Sequence, residues 1–307
     1  MDRRWPAAWL LALLPILILC GCPDSPSART PGPLRVVATI PPLAGLVRPL
    51  IPDGAAVRTL IPQNRSEHGY ELTARDVEAL AKADVVVYVG LGLDPQVQSF
   101  LAKHPSSHRR EVCFADAVGV KQTPEAPGHE DHDDDGHHHG GTDPHLWLDP
   151  DLCLKLVPAL QSAIAASPGS DAGLGARAAA LGDQIRAFDA EAKARLAPLA
   201  GRAIVTHHSA WGRLAGHYGL TVAAVIKPIE TAEETSGAVD AVIAAIRTQH
   251  IAAIFIEPQF SPRAADRIGE QTGVAIGVLD PLGDGDWFRM MRNNIDALVT
   301  GLQALPK

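Results

Sequence analysis

Side chains of the metal-binding types stand in loops at several places along the sequence. His68, His207, His208 and Asp280 each follow a predicted strand, and His145 stands between an acidic segment and a predicted helix. Three imidazoles with one carboxylate suit a tetrahedral zinc site, whereas calcium and magnesium prefer oxygen ligands. Ligands bind at the carboxyl ends of strands in open α/β sheets, so these loops are candidates for one shared metal site. Taken singly, each residue also fits an ordinary solvated loop or turn.

One acidic segment is unusually rich in histidine. Residues 129–139, with the sequence HEDHDDDGHHH, hold five histidines and five acidic residues and no basic residue. The surrounding segment 122–141 cannot bury a core, so we expect a mobile insertion. The insertion either binds metal weakly, to capture zinc or to sense its abundance, or is a plain acidic spacer. Its candidate weak metal ligands are His129, His132, His137, His138 and His139.

Composition excludes several classes of protein. The chain has 307 residues, 46% hydrophobic and 20% charged, which is typical of a globular protein. Its 27 Lys and Arg against 35 Asp and Glu give a net charge of −8, and no dense basic cluster occurs, so we expect no nucleic-acid partner. It has no HExxH, GxSxG or P-loop motif. Zinc hydrolases also leave one metal position for water, so we expect a binding protein and not an enzyme.

The N-terminus has the order of an export signal. Arg3 and Arg4 precede an apolar run that ends near Gly21, and a Pro/Ser-rich linker covers 22–33. The run is shorter than the roughly 20 residues of a membrane span. Leu19-Cys20-Gly21-Cys22 resembles a bacterial lipoprotein signal, which predicts a signal peptide over 1–21 and lipidation of Cys22. An ordinary cleaved signal is the alternative, and either way we expect the mature chain in the periplasm or on the outer face of the cytoplasmic membrane.

Few cysteines remain after the signal. Apart from Cys22, the mature chain would keep Cys113 and Cys153 alone. In an oxidising compartment these two could form a disulfide that closes the histidine-rich segment into a loop. Two separate free thiols are the alternative.

Strands and helices alternate along the rest of the chain, which predicts parallel sheets flanked by helices. A long helical pattern over 171–200 has four predicted strands before it and four after it. We therefore expect an α/β fold with an N-terminal lobe over 34–170, one rigid interlobe helix over 171–200 and a C-terminal lobe over 201–307. The predicted strands are 34–40, 56–61, 84–89, 111–114, 202–206, 221–226, 251–256 and 274–279.

Two helix starts carry clear local signals. Thr73 with Asp76 three residues later has the pattern of a capping box, so a helix should begin there. Asp149 followed by Pro150 predicts an N-cap and a first-turn proline for a helix that runs to about Ala166.

Several motifs together resemble one known family. The pieces SEHGYELTARDV, DPHLWLDP, HHSAWGRLAGHYGL, IFIEPQFSP and LDPLG occur in this order around the long helix. The set is similar to the zinc-binding solute-binding proteins of bacterial ABC importers, and it covers 34–302. That resemblance implies two lobes with a metal site in the cleft between them. It also implies the metal ligands His68, His145, His208 and Asp280.

The resemblance leaves other site residues open. His207 competes with His208, although the family's ligand directly precedes a polar-Ala-aromatic triplet, as His208 does here. Glu67 is either an extra oxygen ligand, a residue that orients an imidazole or an exposed carboxylate. Glu257 is a second candidate for orienting an imidazole.

The resemblance also implies a function and partners. The function is high-affinity zinc binding and delivery to an ABC permease with its ATPase, by a monomer that touches the membrane only through a lipid anchor. A periplasmic zinc chaperone is a further candidate partner. A manganese or other divalent-metal protein, a metal chaperone or an adhesin of the same fold are the alternatives. Because ligating imidazoles must be neutral, zinc affinity should weaken as the pH falls through about 6.5.

Overall fold

Two parallel sheets stand before and after one long helix in the chain. The structure, a computed structural model, describes residues 32–63, 65–123, 142–227 and 236–303. In the first lobe of this part of the chain lie β1 (Arg35–Ala38), α1 (Pro41–Val47), β2 (Ala56–Thr59), α2 (Ala74–Lys82), β3 (Val85–Tyr88), α3 (Pro95–Lys103), β4 (Arg110–Cys113), α4 (Phe114–Val118) and α5 (Pro150–Ala165). The long helix is α6 (Leu174–Leu196). The second lobe contains β5 (Ala203–Thr206), α7 (Gly212–His217), β6 (Thr221–Val225), α8 (Ser236–Gln249), β7 (Ala253–Ile256), α9 (Arg263–Thr272), β8 (Ala275–Val278) and α10 (Trp287–Gln303).

The two sheets share one strand order. They run β2-β1-β3-β4 and β6-β5-β7-β8, and all their strand pairs are parallel. The inner strands are nearly continuous apolar runs, such as the VVVY of β3, because helices cover both faces of a parallel sheet. Each of the eight predicted strands is present, with its ends within two residues of the prediction. The predicted α/β fold of two lobes is confirmed.

Local signals set the helix starts that position the site. The Thr73 side chain accepts from the Asp76 backbone N–H while the Asp76 carboxylate accepts from the Thr73 N–H, so the predicted capping box is confirmed. The Asp149 carboxylate accepts from the N–H groups of Asp151 and Leu152, which confirms it as the N-cap of α5. These caps fix where the preceding loops end.

The long helix α6 supports the junction of the two lobes. Leu181, Ile185 and Phe188 on its buried face belong to a core that also contains residues of both sheets. The ring of Phe188 meets Trp287 edge-on, with 5.4 Å between ring centroids. The helix starts three residues later than predicted and ends in a 3-10 turn, Ala197–Leu199. The lobe boundaries given above remain a prediction.

Buried tryptophans join the lobes on the side of the site. The indole N–H of Trp147 donates to the carbonyl of Pro281 at 2.6 Å, and Trp287 donates to the carbonyl of Trp147 at 2.8 Å. A Cβ added to Gly45 in α1 would lie 2.7 Å from the backbone nitrogen of Trp287. Glycine at this position therefore allows the start of α10 to pack closely on α1, and one core runs through both lobes.

The two cysteines of the described chain are separate free thiols. Cys113 donates to the carbonyl of Val89 at 3.6 Å, and Cys153 is buried in α5 and donates to the carbonyl of Trp147 at 3.4 Å. The disulfide is therefore not formed in this structure, which matches the alternative of two free thiols, and each thiol donates to its own carbonyl acceptor. Among the described helices, none is both long enough and apolar enough to cross a membrane. The predicted signal peptide, Cys22 and the loop histidines at 129–139 lie outside the described residues.

Candidate metal centre

Four side chains converge between the two lobes. Glu67 and His68 lie in the loop after β2, His145 precedes a 3-10 turn that leads into α5, and His208 lies two residues beyond β5. One ligand atom from each comes within 4.8 Å of the others. We call these residues, Glu67, His68, His145 and His208, the His145 cluster. Three of its members come from the first lobe and one from the second.

The spacing inside the His145 cluster matches that of one small cation. The Nε2 atoms of His68 and His145 are 3.4 Å apart, and those of His145 and His208 are 3.3 Å apart. Oε1 of Glu67 lies 3.4 Å from Nε2 of His145 and 3.9 Å from Nε2 of His208. Ligands about 2.1 Å from a tetrahedral zinc lie roughly 3.4 Å from one another. The four atoms can therefore surround one ion with little movement.

Strand register places Glu257 against His208. Thr206 in β5 pairs with Phe255 in β7, so the residues two positions beyond this pair, His208 and Glu257, are neighbours. Nδ1 of His208 donates to Oε1 of Glu257 at 2.6 Å, and the indole of Trp211 donates to the same oxygen at 3.0 Å. This hydrogen bond leaves the Nε2 lone pair of His208 directed at the cluster. Glu257, a candidate from sequence alone, thus orients an imidazole.

Asp143 orients the imidazole of His145 in the same way, and the sequence analysis did not predict this contact. Oδ1 of Asp143 accepts from Nδ1 of His145 at 2.7 Å and from its backbone N–H at 2.9 Å. Arg213 of α7 donates to the carbonyl of Asp143 at 2.7 Å and so connects this loop to the second lobe. The signal was available, since an aspartate two residues from a histidine can form such a turn.

The charges around His145 shift two pKa values. Burial opposes the charged form of His145, but hydrogen bonds to Asp143 and Glu67 and their negative charges raise its pKa to about 10. Burial likewise opposes ionisation of Glu67, and the hydrogen bond and charge of His145 outweigh it and hold the pKa of Glu67 well below its usual range. Without metal, one proton on His145 thus balances the buried carboxylate.

Two residues considered from sequence do not join the cluster. Oδ1 of Asp280 accepts from Nε2 of Gln259 and from the backbone N–H of Leu282, both at 3.0 Å. These bonds tie Oδ1 of Asp280 to its own loop and to the loop after β7, whereas Glu67 has an oxygen beside the imidazoles. His207 stacks on Phe260, with ring centroids 4.5 Å apart, and burial lowers its pKa to about 4. As metal ligands, Asp280 and His207 therefore lack the support that the geometry gives to Glu67 and His208.

One family model matches most of the chain. It is described as ZnuA, the periplasmic zinc-uptake complex component A, and it matches residues 36–301. The chain belongs to the ZnuA family. Every member of the His145 cluster lies within the matched residues.

Two known proteins and one solved structure are similar to this chain along most of its length. A zinc-binding lipoprotein, AdcA, of Streptococcus pneumoniae serotype 4 is 29% identical over 300 residues, which are 94% of this chain and 59% of AdcA. The high-affinity zinc uptake system protein ZnuA of Yersinia pestis is 28% identical over 280 residues, 81% of this chain and 83% of that protein. A crystal structure of ZnuA, 23% identical, superposes with a TM-score of 0.75 and covers 89% of this chain and 100% of that one. The chain spans less than two thirds of the length of AdcA but most of the ZnuA-family relative.

Proposed function

We propose that this protein captures zinc outside the cytoplasm and delivers it to the permease of an ABC importer. The observation that supports this most is the spacing of four donor atoms in the His145 cluster, 3.3 to 3.4 Å along its shortest edges. The description of the ZnuA family as a periplasmic zinc-uptake component, and the zinc-binding names of its relatives, support the same cargo.

Three imidazoles favour zinc over manganese as the cargo. Nitrogen ligands bind zinc more tightly than manganese, whose preferred ligands are oxygens. The cluster offers one carboxylate oxygen against three nitrogens. We therefore keep a manganese carrier, a metal chaperone and an adhesin only as alternatives of the same fold.

Binding in this site requires no bond chemistry. The His145 cluster offers four protein donors, whereas a zinc hydrolase leaves one position to water. Because His208 comes from the second lobe and its partners from the first, zinc would bridge the lobes. The permease would then recognise the bridged form. We expect a monomer that is held at the membrane only through lipid on Cys22.

A pair of adjacent histidines gives a sharp test of the site. His208→Ala removes one donor from the His145 cluster, and we expect zinc to bind at least about 100-fold more weakly, because loss of even a residue behind a ligand costs about 10–100-fold. His207→Ala is the matched control and should change the affinity by no more than about threefold. Competition with a chelator of known affinity, in a chain whose loop histidines at 129–139 are replaced by serine, measures both. Equal loss in both variants, or none in either, would contradict the assignment.

The importer role needs a measurement in cells. A strain that lacks this protein and has no redundant system should take up less radiolabelled zinc, and the His208→Ala variant should not restore uptake. Unchanged zinc uptake in that strain would favour the chaperone or the adhesin.

A further inference from the structure

A second group of metal-ligating side chains lies outside the His145 cluster. It joins His217 at the end of α7, Asp149 and Asp151 at the start of α5 and Asp189 in α6, and we call these four residues the His217 cluster. Ligand atoms of His217, Asp149 and Asp151 all lie within 4.8 Å of one another. We propose that the His217 cluster binds a second divalent transition-metal ion of the zinc type, at the place where three helices from both lobes meet. This site is separate from the proposed import site and goes beyond that function.

The two nitrogens of His217 have different surroundings. Nε2 donates to Oδ1 of Asp189 at 2.7 Å, which is a short, well-formed hydrogen bond. Nδ1 lies 3.5 Å from Oδ1 of Asp149 and 3.8 Å from Oδ2 of Asp151, and it forms no hydrogen bond with either. Metal-bound histidines characteristically donate their other nitrogen to a carboxylate in this way. The ring is thus held with Nδ1 between two carboxylates.

The distances from Nδ1 of His217 to the carboxylates of Asp149 and Asp151 are too long for hydrogen bonds, but they suit an ion bound between these atoms. Ligands of a tetrahedral zinc lie roughly 3.4 Å apart, close to the separations measured from Nδ1. Charge agrees with this arrangement. Three carboxylates face the ring of His217, and Lys193 offsets the charge of one of them through Asp189 at 2.7 Å. Two negative charges remain, which a divalent cation would balance.

A buried hydroxyl beside the cluster gives an independent indication. Tyr218 is only 5% exposed, and its hydroxyl has no hydrogen-bond partner among the described residues. Burial, and then the nearby carboxylate of Asp189, raise the pKa of Tyr218, with a smaller effect from Asp149. The hydroxyl therefore lies close to Asp189 of the His217 cluster, although it forms no hydrogen bond of normal geometry there. A buried hydroxyl costs free energy unless a partner satisfies it, and a hydrated ion at this site would bring such a partner.

The identity of the ion follows from the ligand types. Calcium and magnesium prefer oxygen ligands alone, whereas an imidazole with carboxylates suits zinc. Asp151 is 59% exposed, so solvent reaches this site more easily than the buried His145 cluster. We expect weaker binding here than at the His145 cluster. Because the ligands come from α5, α6 and α7, an ion bound here would tie the first lobe, the long helix and the second lobe together.

The test counts zinc equivalents in a chain that keeps the His145 cluster. The parent carries serine in place of the five loop histidines at 129–139, so that weak loop sites do not contribute. Equilibrium dialysis against zinc should give two equivalents in the parent. Asp151→Asn and His217→Gln should each keep the tight equivalent and lose the second. Asp183→Asn, an exposed carboxylate on the same helix as Asp189, is the matched control and should keep both.

Further variants and measurements distinguish a metal site from a group of acidic residues that binds no ion. Asp189→Asn should weaken the second equivalent by about 10–100-fold, because it removes the acceptor that orients His217. The second equivalent should raise the melting temperature of the parent and leave that of Asp151→Asn unchanged. A parent that binds one zinc, a second equivalent that survives both Asp151→Asn and His217→Gln, or displacement of that zinc by millimolar calcium would each overturn the proposal. Absence of the tight equivalent, with the second one still bound, would instead count against the proposed import site.

Discussion

At the scale of single residues, two carboxylates behind the imidazoles decide how the ligand nitrogens point. Glu257 accepts from Nδ1 of His208 at 2.6 Å, and Asp143 accepts from Nδ1 of His145 at 2.7 Å. Both Nε2 atoms are thereby directed to the same point, where Glu67 adds an oxygen. A site arranged before metal arrives loses less conformational freedom on binding, which favours tight capture.

Glu67 and Asp280 are competing sources of the carboxylate ligand. Glu67→Gln removes a buried negative charge next to three imidazoles, and we expect zinc affinity to fall by about tenfold or more, as happens on loss of groups around a metal. Asp280→Asn keeps the acceptor for Gln259 and should change the affinity by less than about threefold. Calorimetric titration of both variants distinguishes them. The reverse order of effects would mean that Asp280 moves into the site when zinc binds.

Zinc binding should release a proton over a wide pH range. The metal-free protein holds a proton on His145, whose pKa is raised to about 10, and zinc must displace it to reach Nε2. The apparent affinity should therefore fall about tenfold for each pH unit below about 10, with a steeper fall near 6.5 where ordinary imidazoles titrate. Because the pKa of His145 is raised, the loss of zinc affinity should begin well above the pH of about 6.5 that the sequence alone predicts.

Titration in two buffers of different ionisation enthalpy measures that proton. At pH 8 we expect about one proton per zinc, because pH 8 lies below the pKa of about 10 for His145. Glu67→Gln should release less, since one of the two anions that hold the proton is gone. No proton release at pH 8 would contradict the charge balance described for this site.

At the scale of elements, the close approach of α1 and α10 joins the lobes. The Cβ added by Gly45→Ala would meet the backbone nitrogen of Trp287 at 2.7 Å, and backbone cannot move aside as a flexible side chain can. We expect a loss of about 1–3 kcal/mol in the free energy of unfolding, the usual range for overpacking. Denaturant unfolding of the zinc-free protein measures it.

A second glycine provides the control for that substitution. Gly175 lies in α6 with no atom within 4 Å of an added Cβ. Gly175→Ala should be neutral or stabilise by up to about 1 kcal/mol, because alanine favours the helix. Similar destabilisation by both substitutions would show that the contact with Trp287 is not the cause.

At the scale of the whole molecule, we expect the loop and the lobes to bind zinc independently. Deletion of residues 128–141 removes all five loop histidines and leaves every member of the His145 cluster in place. We expect the tight zinc equivalent to remain and the additional weak equivalents contributed by the loop to disappear. Zinc titration of the deleted chain beside the full chain measures both. Loss of the tight equivalent would show that the loop supplies ligands to the main site.

The sequence by itself determined the strands, the helix caps and the loops that carry the ligands. These features depend on signals within a few residues, such as apolar runs, Thr73 with Asp76, and Asp149 before Pro150. The resemblance to a known family added His68, His145 and His208, which the structure brings together.

Only the tertiary structure decided which groups surround those histidines. Three placements depend on the register of strands and the packing of helices far apart in sequence: Glu67 beside the imidazoles, Asp143 behind His145, and the meeting of His217 with Asp149, Asp151 and Asp189. A carboxylate in a loop looks the same in sequence whether it lies beside the imidazoles or bonds to another loop. The difference is a hydrogen bond made through space, as the contact of Asp280 with Gln259 shows.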